Sequence, residues 1–360
     1  MNAPTTPMPA FVDTLRLAHF AMMDRLRRAQ GNALDALGLG PRECAFRLVS
    51  SGLHWRLRAY GGPEAAPTLI LVPAPIKRPY IWDLTPSVSA VRYCLDHGFR
   101  VYLLEWMPPE GDGPDLDACA GDAIGACVAT ASEHAEGAVP FLIGHSLGGT
   151  LAAIYCALEP QSVKGLVLLG APLCFEEASS GFRDAIVSMV PTDLSERDVV
   201  AGSLLSQVSA AASPRAFLWS RWMDAALSLS DPSAMEMHAR IQRWTLDEVA
   251  LSGKLVSEVV RWLYRENRFY LGTLSVLART VGPASMRLST LAIVNTADEV
   301  VPLASVAPFI NKMPAGAARV IEYPGEVGVG LQHLGILTGR QAYARIWPQI
   351  IAWLKSPQRN

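Results

Sequence analysis

The sequence has no run of about 18 consecutive apolar residues, so nothing in it predicts a membrane-spanning helix. It also lacks an excess of charge: 31 Lys and Arg stand against 33 Asp and Glu, a net of −2. No Lys/Arg-rich block interrupts that balance, which argues against nucleic acid as a partner. The six cysteines, Cys44, Cys94, Cys119, Cys127, Cys156 and Cys174, include no C-x-x-C pair and mostly sit in apolar segments. They read as reduced core thiols of a cytoplasmic protein rather than as a disulfide framework. Seven histidines are scattered without ligand spacing, so neither a metal nor another cofactor is expected. The first ten residues are rich in Pro and Thr and lack the charged-then-apolar order of a signal peptide.

What is present is apolar character. Half of the 360 residues are hydrophobic, enough for a large core in one domain with an insertion, or in two domains. The chain is organised around residues 139–160. An apolar run, Phe141 to Ile143, meets Gly144, His145, Ser146, Leu147 and Gly148, and a helix-like run then stops at Pro160. This is a G-x-S-x-G nucleophile elbow in its strand–turn–helix setting. A sharp strand-to-helix turn leaves no room for a Cβ beside the nucleophile, which explains Gly144, Gly148 and Gly149. Ser146 then projects its hydroxyl from the turn, and the helix start behind it offers free N–H groups to a developing oxyanion.

The rest of the chain alternates in type. Residues 11–37 carry apolar residues at helical spacing with Arg25, Arg27 and Arg28 among them, an amphipathic helix for the core or a partner. Residues 44–58 suggest a strand pair with Leu53, Trp55 and Leu57 on one face. Continuous apolar runs at 68–72, 101–104 and 163–169 read as strands buried on both faces. Helical patterns lie between them at 88–97 and 118–133. The alternation breaks after Pro172: for more than a hundred residues helix-period patterns recur without a convincing strand. It resumes at 288–295 and 319–323 and ends in a helix at 340–354. The prediction is a doubly wound, mostly parallel sheet interrupted by a helical cap. Its parts are a helical segment at 1–43, core at 44–172, cap at 173–287 and core at 288–360.

A serine hydroxyl needs a base in hydrogen-bond reach and a third group to orient that base. In α/β-hydrolase topology the chain order is Ser, acid after a late strand, His after the next. Asp298 follows the strand at 288–295, with Glu299 as a rival, and His333 follows the strand at 319–323 on a glycine-rich loop. The candidate triad is Ser146, His333 and Asp298. Leu147, just after the nucleophile, supplies one oxyanion N–H. The second comes from the loop after the strand at 68–72, where Pro73 and Pro75 have none to give. That leaves Ala74 or Ile76, of which Ile76 is favoured.

With these residues in view the chain resembles the polyhydroxyalkanoate synthase family, in particular its short, partner-dependent members. The resemblance runs through residues 72–83 (Val-Pro-Ala-Pro-Ile-Lys-Arg-Pro-Tyr-Ile-Trp-Asp), 101–106, and Trp262 to Asn267 with Gly272. It continues through Asp298 to Pro302, His333 to Gly335, and Ile346 to Pro348 with Trp353. It implies an α/β-hydrolase fold, acyl thioester substrates and a homodimer formed through the cap. The departure falls at the centre, because that family uses cysteine in the elbow and this chain has Ser146. Acyl transfer from a thioester to cysteine is nearly isoenergetic, whereas transfer to serine gives a less reactive oxyester. The expected function is therefore a serine-dependent hydrolase of acyl esters or thioesters, plausibly 3-hydroxyacyl ones. The alternatives are an acyltransferase or polyhydroxyalkanoate synthase with an alcohol acceptor, and a non-catalytic scaffold subunit of a synthase complex.

Overall fold

The computed structural model describes residues 8–63, 65–192 and 199–357, with side chains from residue 18 onward. Residues 1–7 of the predicted N-terminal segment therefore lie outside the described residues. The fold is built on an eight-stranded sheet. Its strands are β1 (Arg47–Ser51), β2 (Trp55–Gly61), β3 (Thr68–Val72), β4 (Arg100–Trp106), β5 (Phe141–His145), β6 (Gly165–Leu169), β7 (Thr290–Asn295) and β8 (Ala318–Tyr323). Their spatial order is β1-β2-β4-β3-β5-β6-β7-β8. The β1–β2 and β2–β4 pairs are antiparallel, and the remaining neighbours run parallel.

Residues 68–72 and 165–169 are buried throughout, which is why they read as continuous apolar runs rather than alternations. Leu53 departs from its expected place: it lies in the β1–β2 turn and is 83% exposed, while Leu57 is fully buried. A period-2 reading carried straight through the turn put the two on one face.

Helices cover both sheet faces. One apolar cluster joins α3 (Ile124–Glu133) and α4 (Leu147–Leu158) to the sheet, and the other joins α2 (Ala90–Asp96) and the terminal helix Trp347–Lys355. Burying a Leu or Ile side chain in such a layer contributes about 1.5–3 kcal/mol.

Between β6 and β7 the chain forms α5 (Gly181–Met189), α6 (Gly202–Ala212), α7 (Ser220–Ser228) and α8 (Pro232–Thr245), with shorter turns after them. The expectation of no strand here is corrected. Val199–Val200 pairs with Leu251–Ser252, and Leu274–Val276 pairs with Arg279–Val281. Strands of two or three residues are too short to show a period. The turn Arg215–Trp219 and α7 also went unpredicted. Leu218, Trp219, Trp222, Met223 and Leu227 are exposed there, while Asp224 and Ser228 point inward.

The N-terminal helix α1 (Met8–Ala36) docks against this layer. Arg27 pairs with Glu248, Asp35 accepts two hydrogen bonds from Arg243, and Asp24 accepts the Ser203 N–H.

Candidate active site

The strand β5 delivers the chain into a turn that only small residues tolerate. An added Cβ on Gly144 would sit 2.4 Å from the Gly149 Cα, and one on Gly148 would sit 2.4 Å from the Pro73 carbonyl carbon. Those contacts are with backbone, which cannot swing away. Gly148→Ala is accordingly expected to lower stability by about 3 kcal/mol or more, read as a fall in the thermal midpoint. Ser146 itself is held at φ 55° and ψ −136°, a conformation that costs about 1–3 kcal/mol for a residue with a Cβ. Leu147 opens α4 as its first residue, so its N–H has no partner within the helix.

The other two predicted side chains meet. Asp298 is 4% exposed and His333 8%. His333 Nδ1 lies 2.7 Å from Asp298 Oδ2, and Asp298 Oδ1 accepts the N–H groups of Val300 (2.8 Å) and Val301 (3.2 Å). Burial acts to raise the Asp298 carboxyl, but His333 and these N–H donors outweigh it and hold the group below the usual carboxylate range. An ionised neighbour fixes the His333 proton on Nδ1. His333 Nε2 is then free to accept, and among the described residues it is buried without a hydrogen-bond partner. A buried polar atom left unpaired costs about 1–3 kcal/mol and invites a functional account. The rival acid Glu299 points to the surface, where Arg215 pairs with it at 2.9 Å.

Ser146, Leu147, Ile76 and His333 line a single cavity of about 340 Å³. The proline-rich loop is pinned beside the elbow, since Trp106 Nε1 donates to the Pro73 carbonyl at 2.7 Å and Val249 N to the Ile76 carbonyl at 2.9 Å. Cavity walls are supplied by Phe175, Phe182, Phe217 and Ile241, an apolar environment suited to an acyl chain. Among the described residues no group of three His, Cys, Asp or Glu side chains could hold a metal ion. Burial raises the Cys174 thiol, which makes it a poor nucleophile.

Two supports of the site were not legible beforehand. His145 reaches across 188 residues to donate its Nε2–H to the His333 carbonyl at 2.9 Å. Burial and the neighbouring His333 bring His145 down to about 3, so it stays neutral. Asp224, the inward acid of α7, accepts the N–H groups of Gly328 (2.6 Å) and Gly330 (3.0 Å) and so anchors the loop that carries His333. Neither spacing leaves a signature, because each contact is made between segments remote in the chain.

A sheet of this order with an elbow at the end of β5 defines an α/β architecture, and the chain belongs to the alpha/beta hydrolase fold family, which it matches over residues 68–326. It is similar to the poly(3-hydroxyalkanoate) polymerase subunit PhaC of Allochromatium vinosum, 26% identical over 338 residues that cover 92% of each chain. It is also similar to PhaC of Haloferax mediterranei, 26% identical over 79% of this chain and 58% of that one. PhaC of Haloarcula marismortui is 23% identical over 79% of this chain. The chain spans 58% and 60% of the length of these two haloarchaeal relatives. Among solved structures, a bacterial membrane phospholipase A superposes with a TM-score of 0.52 at 14% identity, covering 97% of this chain and all of that one. An esterase from Rhodococcus sp. gives 0.51 at 17% identity, covering 86% of this chain and 99% of that one. These likenesses establish the fold.

Proposed function

We propose that the chain is a serine-dependent enzyme that cleaves acyl esters or thioesters through an acyl-Ser146 intermediate. The observation that carries this reading is the buried His333–Asp298 pair, with its unpartnered Nε2 on the cavity that Ser146 lines. In the proposed reaction Ser146 Oγ bonds to the acyl carbon while its proton passes to His333 Nε2. The oxyanion accepts hydrogen bonds from the N–H groups of Leu147 and Ile76, each worth about 10²–10³ in turnover. The carbonyl re-forms, the bond to the leaving group breaks, and His333 returns the proton to the departing thiolate or alkoxide. Water activated by the same imidazole then releases the acid and regenerates Ser146. Asp298 holds the Nδ1–H and stabilises the imidazolium. Residues 173–287 serve as the cap that gives the acyl group its apolar walls.

A thioester is expected because the relatives at 22–26% identity are polymerase subunits acting on hydroxyalkanoates by name. The serine separates this chain from repeated transfer, since the oxyester it forms lies downhill of a thioester. The test is incubation with 3-hydroxybutyryl-coenzyme A and separation of the products. Free acid with no chain growth is the expected result. Growing oligomers, or capture of the acyl group by an added alcohol with loss of acid release, would establish the transferase reading that the relatives favour.

The cap also supports a homodimer as part of this proposal. Leu218, Trp219, Trp222, Met223, Leu227 and Leu229 are 47–75% exposed. At about 150–250 Å² per aromatic side chain the two partly exposed tryptophans alone offer roughly 200–350 Å² of apolar surface, a large share of the ~800 Å² that each partner buries in a standard interface, and the four other side chains extend it. Replacing Trp219 and Trp222 together with Glu is expected to shift sedimentation equilibrium from dimer to monomer while the fold is kept. A monomeric parent protein would refute this part.

A further inference from the structure

We infer that the cavity contains an anion subsite, built by Arg27, Lys77 and Arg221, that receives a carboxylate or phosphate group carried by the substrate. The inference deepens the acyl-enzyme reading and rests on it for the word substrate. Among the described residues five cationic side chains line the cavity (Arg27, Lys77, Arg78, Arg183 and Arg221), and no Asp or Glu does. Two of the five are committed elsewhere: Arg78 lies 3.5 Å from Glu105, and Arg183 pairs with Asp184 and donates to the Tyr264 carbonyl.

The other three converge on a single residue, Thr245. Arg27 Nη2 donates to its carbonyl at 2.7 Å, Lys77 Nζ to the same carbonyl at 2.5 Å, and Arg221 Nη2 to its hydroxyl at 3.2 Å. Three segments remote in sequence thus place three positive heads around one point. Among the described residues one carboxylate answers them. Glu248, with a side chain 5% exposed, pairs with Arg27 at 2.5 Å and Lys77 at 2.9 Å, and it also accepts the Ser206 hydroxyl. Among the described residues Arg221 has no carboxylate partner. Among the described residues three cations face one anion, which leaves two charges in surplus in a partly desolvated site. Such a surplus is costly unless something negative answers it.

The charge states reflect the crowding. Burial, then the charge of Arg27, pull the Arg221 guanidinium below its usual range, and burial brings Lys77 down to about 8 even beside Glu248. A planar carboxylate or phosphate oxygen pair suits the Arg221 fork, which can donate two parallel hydrogen bonds. The subsite is continuous with the chemistry, since Lys77 directly follows Ile76 and both line the cavity of Ser146. An anionic tail held there would fix how far the scissile carbonyl reaches toward the elbow.

The test is titration calorimetry of the full chain with three probes: inorganic phosphate, adenosine 3′,5′-bisphosphate and glutarate. Saturable binding is expected for at least one. Tighter binding of the bisphosphate assigns the subsite to a phosphate-bearing leaving group, and tighter binding of glutarate assigns it to the far end of a dicarboxylic acyl chain. Arg221→Gln should weaken that probe about 10–100-fold, the loss of one charge-assisted hydrogen-bonding partner. Glu248→Gln, which removes the competing carboxylate, should tighten it, a change that a merely structural role would not produce. If Arg221→Gln fails to fold, Arg221→Lys, which keeps the charge and loses the fork, and Glu248→Gln decide the matter. No saturable binding of any probe, or affinities indifferent to Arg221 and Glu248, would overturn the inference. Because binding is read without turnover, that failure is distinct from an inert Ser146.

Discussion

Ser146→Ala is expected to lower turnover of an activated thioester by about 10⁴–10⁶-fold while leaving the fold and substrate affinity nearly intact. Ser146 sits at φ 55° because the elbow must pass β5 into α4 with no space for a larger arrangement, and an alanine meets the same backbone demand. The substitution therefore removes one oxygen and little else. Residual rate above water should come from the oxyanion donors and from binding alone. Thermal midpoints of the two proteins within a few degrees, with rates differing by at least four decades, are the outcome to look for. Comparable rates would move the nucleophile elsewhere.

Asp298→Asn is expected to cost about 10⁴ in turnover, the next largest effect. Asp298 Oδ1 accepts two backbone N–H groups and Oδ2 faces His333 Nδ1. An asparagine can satisfy Val300 and Val301 only with its carbonyl oxygen. Its NH₂ then faces His333 Nδ1, which must become an acceptor, and the proton is forced onto Nε2, the atom that takes one from Ser146 in the proposed mechanism. The tautomer is wrong although the geometry survives. Glu299→Gln is the matched control, since the Glu299 carboxylate pairs with Arg215 at the surface and its change should alter the rate less than about twofold. The carboxyl of Asp298 lies below its ordinary value of 3.8 in the folded protein. Its contribution to stability is thus full above that value and is lost as the pH falls through the lower folded one. A steady-state rate for Asp298→Asn within tenfold of the parent would remove the acid from its assigned role.

The sheet was legible where burial is two-sided. Residues 68–72, 141–145, 165–169 and 290–295 are buried along their whole length, and continuous apolar runs are what that environment selects. The elbow was legible because its glycines answer a steric need, a backbone approaching within 2.4 Å of where a Cβ would stand. Chain order and strand ends single out Asp298 and His333 as candidates, and their side chains meet at 2.7 Å.

The rest depends on contacts that no local pattern encodes. The stripe of Trp219, just before α7, and Trp222, within it, faces outward, the reverse of the rule by which apolar periodicity is read. Arg27 from α1, Lys77 from the loop after β3, and Arg221, Thr245 and Glu248 from the layer between β6 and β7 are brought together by the tertiary fold. The hydrogen bond from His145 to the His333 carbonyl joins the elbow's variable residue to a loop 188 positions away.

The central claim is that the acyl group becomes covalently bound to Ser146. The direct measurement is the intact mass of the protein quenched in acid within milliseconds to seconds of mixing with 3-hydroxybutyryl-coenzyme A, followed by peptide mapping. A transient increase equal to one hydroxybutyryl group, localised to Ser146 and missing in Ser146→Ala, is the predicted result. Product formation with no adduct at any quench time, or an adduct on Cys174 that persists in Ser146→Ala, would contradict the account.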